Sequence, residues 1–367
     1  MKACLAAVLS VAFCAFPVAA AERWRMQYFY EAPETEFVIT GLAFPTSGRG
    51  MAAGYLSGKK DKPYAVSTSD GGETWKPVTV PDEALSLFFL DEKDGWLVGR
   101  DNLWRTGDFG QTWVKLGKAA GALRVWFVTP QRGWAVGAKK SVYETSDGGA
   151  NWQRVAAAAE PKTTEDYTVY GAIAFSNPQR GIISGWSRPP RRGERPNAPE
   201  WIEPENARRE WPGVTINLET QDAGAHWKVS QTSMFGQITA LSFAPDGTGL
   251  GLVEFFDKFD FPSEVYRMEA RTGQNTRVFR ARDRVVTDVL LDASATGYLA
   301  AFEPAGLVFR SPVPGKLKIL KSTDLNHWQE TEVDYRALAR RAVLASAGAG
   351  RVWVATDTGM ILTLASE

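Results

Sequence analysis

Residues 133–152 read GWAVGAKKSVYETSDGGANW: an apolar strand, a polar turn, a second strand and a tight turn that ends in tryptophan. This tight turn, which we call the Asp-box, recurs as SDGGETW, GDFGQTW and QDAGAHW, and in a shortened form as TDLNHW. Its aspartate can accept backbone N–H bonds across the loop, glycine supplies a positive φ, and tryptophan packs beneath the turn. The five Asp–Trp pairs are Asp70 with Trp75, Asp108 with Trp113, Asp147 with Trp152, Asp222 with Trp227, and Asp324 with Trp328.

A second repeat is independent of the Asp-box and has more copies. Each copy is an apolar strand, a short polar turn, a glycine and another apolar strand, as in LRVWFVTPQRGWAVG. Seven copies follow one another at intervals of about 50 residues. Short strands rich in β-branched and aromatic residues at this period are typical of propeller blades, so the sequence predicts an all-β, seven-bladed β-propeller. The predicted anchor glycines are Gly50, Gly95, Gly133, Gly181, Gly249, Gly297 and Gly350.

The last copy leaves its blade one strand short. Residues 351–356 and 360–365 supply a second and a third strand, and little chain follows. Residues 24–30, WRMQYFY, precede the first copy and have no partner there. We expect this N-terminal strand to complete the last blade, because pairing the two ends of the chain removes an open sheet edge.

The first residues predict export. Lys2, a short apolar run and the small residues that follow it form the charged, apolar and cleavable parts of a signal peptide. We therefore divide the chain into a signal peptide, residues 1–21, and a single propeller, residues 22–367. Such a protein would be periplasmic or secreted, with no membrane span after cleavage.

Cysteine and charge exclude several classes of function. Cys4 and Cys14 are the only cysteines, and both lie in the predicted signal peptide. The mature chain would therefore have no disulfide, no cysteine nucleophile and no cysteine-based zinc site. The chain has 42 Lys and Arg residues and 42 Asp and Glu residues, so its formal net charge is zero. It therefore lacks the overall positive charge that would indicate nucleic acid as a partner.

The repeat also resembles a known family. The pattern GWxVG, followed by a strand that ends in T-x-D-G-G-x-T-W, resembles the photosystem II stability/assembly factor type of Asp-box (BNR) propeller. It is clearest at Gly95–Gly99 with Asp108–Trp113 and at Gly133–Gly137 with Asp147–Trp152. The resemblance implies an exported, non-enzymatic scaffold that binds a protein partner and assists the assembly or stability of a membrane or envelope complex.

The motifs give no catalytic, cofactor or metal site. His226 and His327 are the only histidines, and each precedes an Asp-box tryptophan, which indicates turn residues rather than a base or a metal ligand. No metal-binding His pair, P-loop or nucleophile elbow occurs in a suitable context. The alternative is a sialidase-like glycoside hydrolase or a sugar-binding propeller, since sialidases also carry Asp-boxes. The arginines, tyrosine and acid that a sialidase needs are not recognisable here.

One segment interrupts the repeat. Gly185 and Asp222 are 37 residues apart, whereas the equivalent Gly137 and Asp147 are 10 apart. The excess, residues 188–212, is rich in proline, which excludes a central strand, so we predict a loop inserted in the fourth blade. Arginine and tryptophan dominate binding hot spots, so the loop is the predicted site for an acidic or extended partner segment. A solvated loop without a partner is the alternative. The predicted contact residues are Arg188, Arg191, Arg192, Arg195, Trp201 and Trp211.

A second arginine-rich stretch, residues 267–284, contributes Arg280 and Arg282. Arginines that alternate along an outer strand commonly form a solvated face, which is one interpretation. The other is that they adjoin the inserted loop and complete a basic patch that binds carboxylates of the partner.

Overall fold

The computed structural model describes residues 22–118, 121–189, 212–256, 261–270, 272–303, 314–334 and 336–365. Within these ranges the chain forms 29 β-strands and two 3₁₀ helices, Ala156–Ala159 and Glu165–Tyr167, and no α-helix. The strands are arranged as an all-β propeller. The described residues contain no helix with the length and hydropathy of a membrane span. The predicted signal peptide lies outside the described residues.

Five four-stranded antiparallel sheets follow one another along the chain. The first comprises β2 (Glu36–Ala43), β3 (Gly50–Ser57), β4 (Lys62–Thr68) and β5 (Lys76–Val78). The second comprises β6 (Ala84–Phe89), β7 (Gly95–Gly99), β8 (Asn102–Thr106) and β9 (Val114–Lys118). The third comprises β10 (Ala122–Phe127), β11 (Gly133–Gly137), β12 (Val142–Thr145) and β13 (Gln153–Arg154). The fourth comprises β14 (Thr168–Asn177), β15 (Arg180–Ser187), β16 (Gly213–Thr220) and β17 (Lys228–Met234). The fifth comprises β18 (Gly236–Phe243), β19 (Thr248–Phe255), β20 (Ser263–Glu269) and β21 (Asn275–Arg280).

The remaining strands form one nine-stranded sheet that consists of two antiparallel groups. One group comprises β22 (Val285–Leu291), β23 (Gly297–Glu303), β24 (Gly315–Ser322) and β25 (Gln329–Val333), with β26 (Leu338–Ala339) paired to β24. The other comprises β27 (Ala342–Ser346), β28 (Val352–Thr356), β29 (Met360–Ala365) and the N-terminal β1 (Arg23–Phe29). A short parallel pairing between β1 and β25 joins the two groups. We number the four-stranded groups as units 1 to 7 in chain order.

The first strands of the units surround the centre of the molecule. They contact one another in a closed cycle that runs β2, β6, β10, β14, β18, β22, β27 and back to β2. The other strands of each unit follow outward in chain order. The first strand is therefore the inner strand of its unit, and the fourth is the outer strand.

The N-terminal strand closes the last unit, as the sequence predicts. β1 pairs antiparallel with β29, with Arg23 opposite Ala365. The Trp24 side chain is 1% exposed, and its indole N–H donates to Thr331 Oγ1 of unit 6 at 2.9 Å. The first and last strands of the chain are therefore held in one sheet, which pairs an edge that would otherwise be open.

A phenylalanine ring lies over the anchor glycine in five of the units. Phe127 ends β10 and pairs with Gly133 at the start of β11. A Cβ atom on Gly133 would lie 2.4 Å from the ring, well inside van der Waals contact, so only glycine fits there. The other four pairs, with corresponding separations of 2.3 to 2.5 Å, are Phe44 over Gly50, Phe89 over Gly95, Phe175 over Gly181 and Phe243 over Gly249.

Some of these rings also join neighbouring units. Phe127 of unit 3 stacks on Trp96 of unit 2, with ring centroids 3.6 Å apart and planes inclined by 8°. Phe44 of unit 1 stacks on Trp353 of unit 7 at the same 3.6 Å, with planes inclined by 5°. The first and last units therefore meet through the same aromatic contact as two consecutive units.

One predicted anchor is wrong. In unit 7 the anchor position belongs to Val352, which pairs with Ser346 at the end of the inner strand. Gly350 instead lies in the preceding turn, with a φ of 71°. Because a serine replaces the phenylalanine, no ring covers the position, and β28 tolerates a side chain there.

The inner strands of units 1 to 6 share a β-bulge at one position. In each, the pairing register shifts by one residue near the start of the strand. A bulge adds twist and changes the direction of the side chains next to it. The bulged residues are Thr40, Leu85, Leu123, Gly171, Thr239 and Thr287.

We expect Phe127→Ala to lower the free energy of unfolding by about 3–5 kcal/mol, because it removes a buried ring that covers Gly133 and stacks on Trp96. Gly133→Ala should also destabilise the protein, since the added methyl group would meet that ring. Gly107→Ala is the matched control, because a Cβ atom at Gly107 would have no atom within 4 Å. Urea denaturation measures all three variants. Equal midpoints for the two glycine variants would contradict this account of the anchor.

Candidate functional site

The two faces of the propeller carry different connections. Because neighbouring strands are antiparallel, turns between the first and second strands and between the third and fourth strands lie on one face. Turns between the second and third strands, and connections to the next unit, lie on the other. The Asp-boxes join third to fourth strands, and the inserted loop joins β15 to β16, the second and third strands of unit 4. We therefore name the two surfaces the Asp-box face and the insertion face.

The Asp-box carboxylates are bound within their own turns. Asp70 Oδ1 accepts the backbone N–H of Thr74 at 2.9 Å and the hydroxyl of Thr68 at 2.7 Å. The Thr74 hydroxyl donates to Asp70 Oδ2 at 2.6 Å, and Thr68 Oγ1 accepts the N–H of Gly72 at 2.9 Å. The same pattern recurs around Asp108, Asp147 and Asp222.

A hydroxyl two positions before each aspartate has a role that the sequence motif alone did not reveal. That hydroxyl is almost fully buried and donates to the box carboxylate in every one of the five boxes. It links the end of the third strand to the turn. A Ser or Thr two positions before each Asp-box aspartate was the available signal. These residues are Thr68, Thr106, Thr145, Thr220 and Ser322.

Both histidines lie at the surface of Asp-boxes. His226 Nδ1 is 2.7 Å from Asp222 Oδ2, and His327 Nδ1 is 2.6 Å from Asp324 Oδ2. Their side chains are 91% and 86% exposed. The hydrogen bond and the negative charge of Asp324 raise the pKa of His327. Among the described residues, no three His, Cys, Asp or Glu side chains are arranged to hold a metal ion.

The Asp-box hydrogen bonds predict an acid-dependent loss of stability. Bonds from Thr74 and Thr68 lower the pKa of Asp70 from 3.8 to about 2. A carboxyl group whose folded-state pKa is lowered stabilises the protein above its unfolded-state pKa, and this contribution is lost as the pH falls through the folded-state pKa.

We therefore expect Asp70→Asn to lose less stability than the wild type between about pH 4 and about pH 2. Urea midpoints measured across this range test the expectation. Glu73→Gln, a change in the same turn, is the control and should follow the wild-type profile. A profile of Asp70→Asn that superimposes on that of the wild type would show that the carboxylate does not stabilise the turn.

On the insertion face, three arginines stack on two phenylalanines. Arg188 follows β15, and its guanidinium carbon lies 4.0 Å from the centre of the Phe256 ring. Arg280 and Arg282 lie 4.2 Å and 5.1 Å from the centre of the Phe261 ring. Such distances allow cation–π attraction. We call these five residues the guanidinium–aromatic patch.

The patch brings together arginines from two units. Phe256 and Phe261 bracket the connection between β19 and β20, whose base is closed by a 3.0 Å hydrogen bond from the Phe255 N–H to the Pro262 carbonyl. Arg188 belongs to unit 4, whereas Arg280 and Arg282 belong to the end of unit 5. The other predicted contact residues, Arg191, Arg192, Arg195, Trp201 and Trp211, lie outside the described residues.

A buried glutamate holds one side of the patch. Glu264 is 8% exposed, and its carboxylate lies 3.2 Å from Arg277 Nη1 and 3.6 Å from Arg280 Nη1. It also accepts the Tyr266 hydroxyl at 2.7 Å. Burial and this hydrogen bond raise the pKa of Tyr266 to about 12, so the phenol keeps its proton. A single glutamate on a strand gives no sequence signal, so this positioning role became visible only in the fold.

The repeat and the fold have counterparts in known proteins. Residues 114–189, from β9 to the start of the insertion, match the family model of the photosynthesis system II assembly factor YCF48. The predicted resemblance to photosystem II assembly factors is confirmed. No curated protein sequence matches the chain.

Solved YCF48 structures have a similar fold. YCF48 bound to D1 peptide is 16% identical with a TM-score of 0.58, and the match covers 94% of this chain and 97% of that chain. YCF48 from Cyanidioschyzon merolae is 14% identical with a TM-score of 0.59, covering 94% and 98%. An ancestral GH74 enzyme is 10% identical with a TM-score of 0.57, covering 91% of this chain and 46% of the enzyme. At these identities the likeness is one of fold.

Proposed function

We propose that this chain is a non-enzymatic assembly protein that binds an acidic, extended segment of a partner polypeptide on its insertion face. The observation that carries this proposal is the guanidinium–aromatic patch, which gathers three arginines from two units. The match to the YCF48 family model and the YCF48 structure with a bound D1 peptide support a polypeptide as the ligand. We further propose that the partner belongs to a membrane or envelope complex and that the chain acts after export.

The chemistry of the patch suits carboxylates on an extended chain. A guanidinium group that stacks on a ring keeps its N–H donors in its own plane, where they can form paired bonds to a carboxylate. The Arg280 side chain is 42% exposed, and Arg282 is also exposed. The phenylalanine rings add apolar surface beside these donors, which favours a peptide over a small polar anion.

The inserted loop begins and ends beside the patch. Arg188 stacks on Phe256 at the start of the insertion. At its end, a Cβ atom on Gly213, the first residue of β16, would lie 3.4 Å from the same ring. Both ends of the segment therefore lie beside Phe256, which supports a contribution of the loop to the proposed site.

A glycoside hydrolase has less support. The likeness to the ancestral GH74 enzyme extends over 46% of the length of that enzyme and concerns the fold. The exposed Asp-box carboxylates accept hydrogen bonds within their own turns, for instance at Asp70 and Asp147. Turnover of fluorogenic sialosides or β-glucosides, abolished by replacing a single carboxylate, would overturn the non-enzymatic proposal.

We expect the combined variant Arg188→Gln, Arg280→Gln and Arg282→Gln to bind an acidic peptide about tenfold or more weakly than the wild type, because charge-assisted bonds are lost. Fluorescence anisotropy with a labelled peptide of alternating glutamate and serine measures the affinity. The same peptide with glutamine in place of glutamate tests the need for charge. Affinity should fall with added salt, since exposed charges are screened over about 8 Å at physiological ionic strength.

The matched control is Arg267→Gln in unit 5. Arg267 pairs with Glu269 at 2.8 Å near the opposite end of β20, away from the patch. It should leave peptide affinity unchanged. Equal affinities for the combined variant and the control, at matched thermal stability, would move the binding site elsewhere.

A deletion tests the contribution of the inserted loop to native binding. Replacing residues 189–210 with a short Gly-Ser link should leave the propeller folded, because β15 and β16 pair from Ser187 and Val214 onward. Capture of a defined partner from the native envelope, quantified by mass spectrometry, should fall in the deletion variant. Undiminished capture would show that the loop is a solvated surface segment.

A further inference from the structure

The inner strands enclose a central cavity of about 310 Å³. Its lining residues lie near the starts of the inner strands, where each strand enters from the connection with the preceding unit. These connections lie on the insertion face, so the cavity opens there. Six of its lining residues, from six different units, are Thr40, Arg124, Ala172, Thr239, Asp288 and Arg341.

Equivalent positions on the six bulged inner strands have side chains of different size and charge. The residue directly after each bulge is small in four units and charged in two. Small side chains leave the space of the cavity free, whereas the charged pair gives it polarity. In order from unit 1 to unit 6, these residues are Gly41, Ser86, Arg124, Ala172, Ala240 and Asp288.

Two of the charged groups in the cavity are fixed by neighbours. Asp288 Oδ1 accepts the N–H of Val289 at 2.9 Å, and Asp288 Oδ2 accepts the N–H of Leu344 at 2.8 Å. Arg341 pairs with Glu254 at 2.7 Å. Both groups therefore have partners that hold their positions.

Arg124 differs from these groups. Its Nε donates to the Gly171 carbonyl at 2.9 Å, and it makes no ion pair with any residue that the structure describes. Arg124 lines the cavity and is an exposed residue. Desolvation lowers the pKa of Arg124, while the charge of Asp288 opposes that shift.

We propose that the central cavity binds a carboxylate group, with Arg124 as its anchor. A partly desolvated cation without an ion pair gains from an anionic partner, and the planar guanidinium fork matches a carboxylate. A single negative charge suits the site better than a doubly charged phosphate, because Asp288 lies in the same cavity. The volume fits a small organic acid or the C-terminal end of a polypeptide. The cavity site goes beyond the proposed function and does not depend on the patch.

The cavity should bind anions more tightly at lower pH. Burial raises the pKa of Asp288 to about 6. Hydrogen bonds from Leu344 and Val289 and the positive charge of Arg124 lower this pKa, but by less than burial raises it. Protonation of Asp288 removes a negative charge that repels the ligand. The other charged groups that line or adjoin the cavity are Arg341 before β27, Glu254 at the end of β19 and Asp357 after β28.

Ligand-observed NMR titration of the whole chain tests this site. The probes are lactate and N-acetyltrialanine, each compared with its uncharged amide. Both carboxylates should bind and both amides should not. Arg124→Gln should weaken binding about tenfold or more, and Arg124→Lys, which keeps the charge, should retain part of the affinity. Affinity should rise as the pH falls from about 7.5 to about 5.5, and Asp288→Asn should remove this dependence.

The controls separate this site from the patch. Arg154→Gln, on the outer strand β13, and the combined patch variant should leave carboxylate binding unchanged. Tighter binding of N-acetyltrialanine than of lactate would indicate a polypeptide terminus, and equal binding would indicate a free acid. Undiminished binding to Arg124→Gln, equal binding of the amides, or tighter binding of inorganic phosphate than of lactate would overturn the proposal.

Discussion

Phe127 lies over Gly133 within unit 3 and stacks on Trp96 of unit 2, so one ring serves both the pairing inside a unit and the contact between units. Large aromatic surfaces contribute much of the burial energy of a core, and a ring against a bare glycine backbone packs without a gap. Five units use the Phe–Gly pair, and the Phe44–Trp353 stack brings unit 7 against unit 1. The same type of contact therefore stabilises pairing within units and packing between them.

The two faces of the propeller differ in how their connections are built. On the Asp-box face, a carboxylate, a buried hydroxyl and a glycine satisfy polar groups within each turn. On the insertion face, the connections vary in length and composition from unit to unit. The arginines of the guanidinium–aromatic patch and the mouth of the cavity, the two proposed binding sites, both lie on this variable side. Variable connections on a rigid scaffold are common positions for binding sites.

The repeated backbone also explains how charged side chains come to line the cavity. Six inner strands bulge at one position, so six side chains occupy equivalent sites around the ring. The bulge does not require a particular side chain at the position that follows it, and in four of the six units this residue is small. Arg124 and Asp288 depart from that rule and place two opposite charges in the lining of one cavity, where electrostatic interactions are less screened than in bulk water.

The sequence by itself determined the all-β propeller, the Asp-boxes and the closing role of the N-terminal strand, because each depends on a pattern that recurs along the chain or on a gap in that pattern. It misplaced the last anchor, since Gly350 resembles the other glycines in spacing but Ser346 supplies no ring to require it. Only the tertiary structure could reveal that Arg188 and Arg280 flank one hairpin, that Glu264 holds Arg277 and Arg280, and that Arg124 shares a cavity with Asp288. These residues lie far apart in the chain, and closure of the ring brings them together through contacts that leave no periodic signal in the sequence.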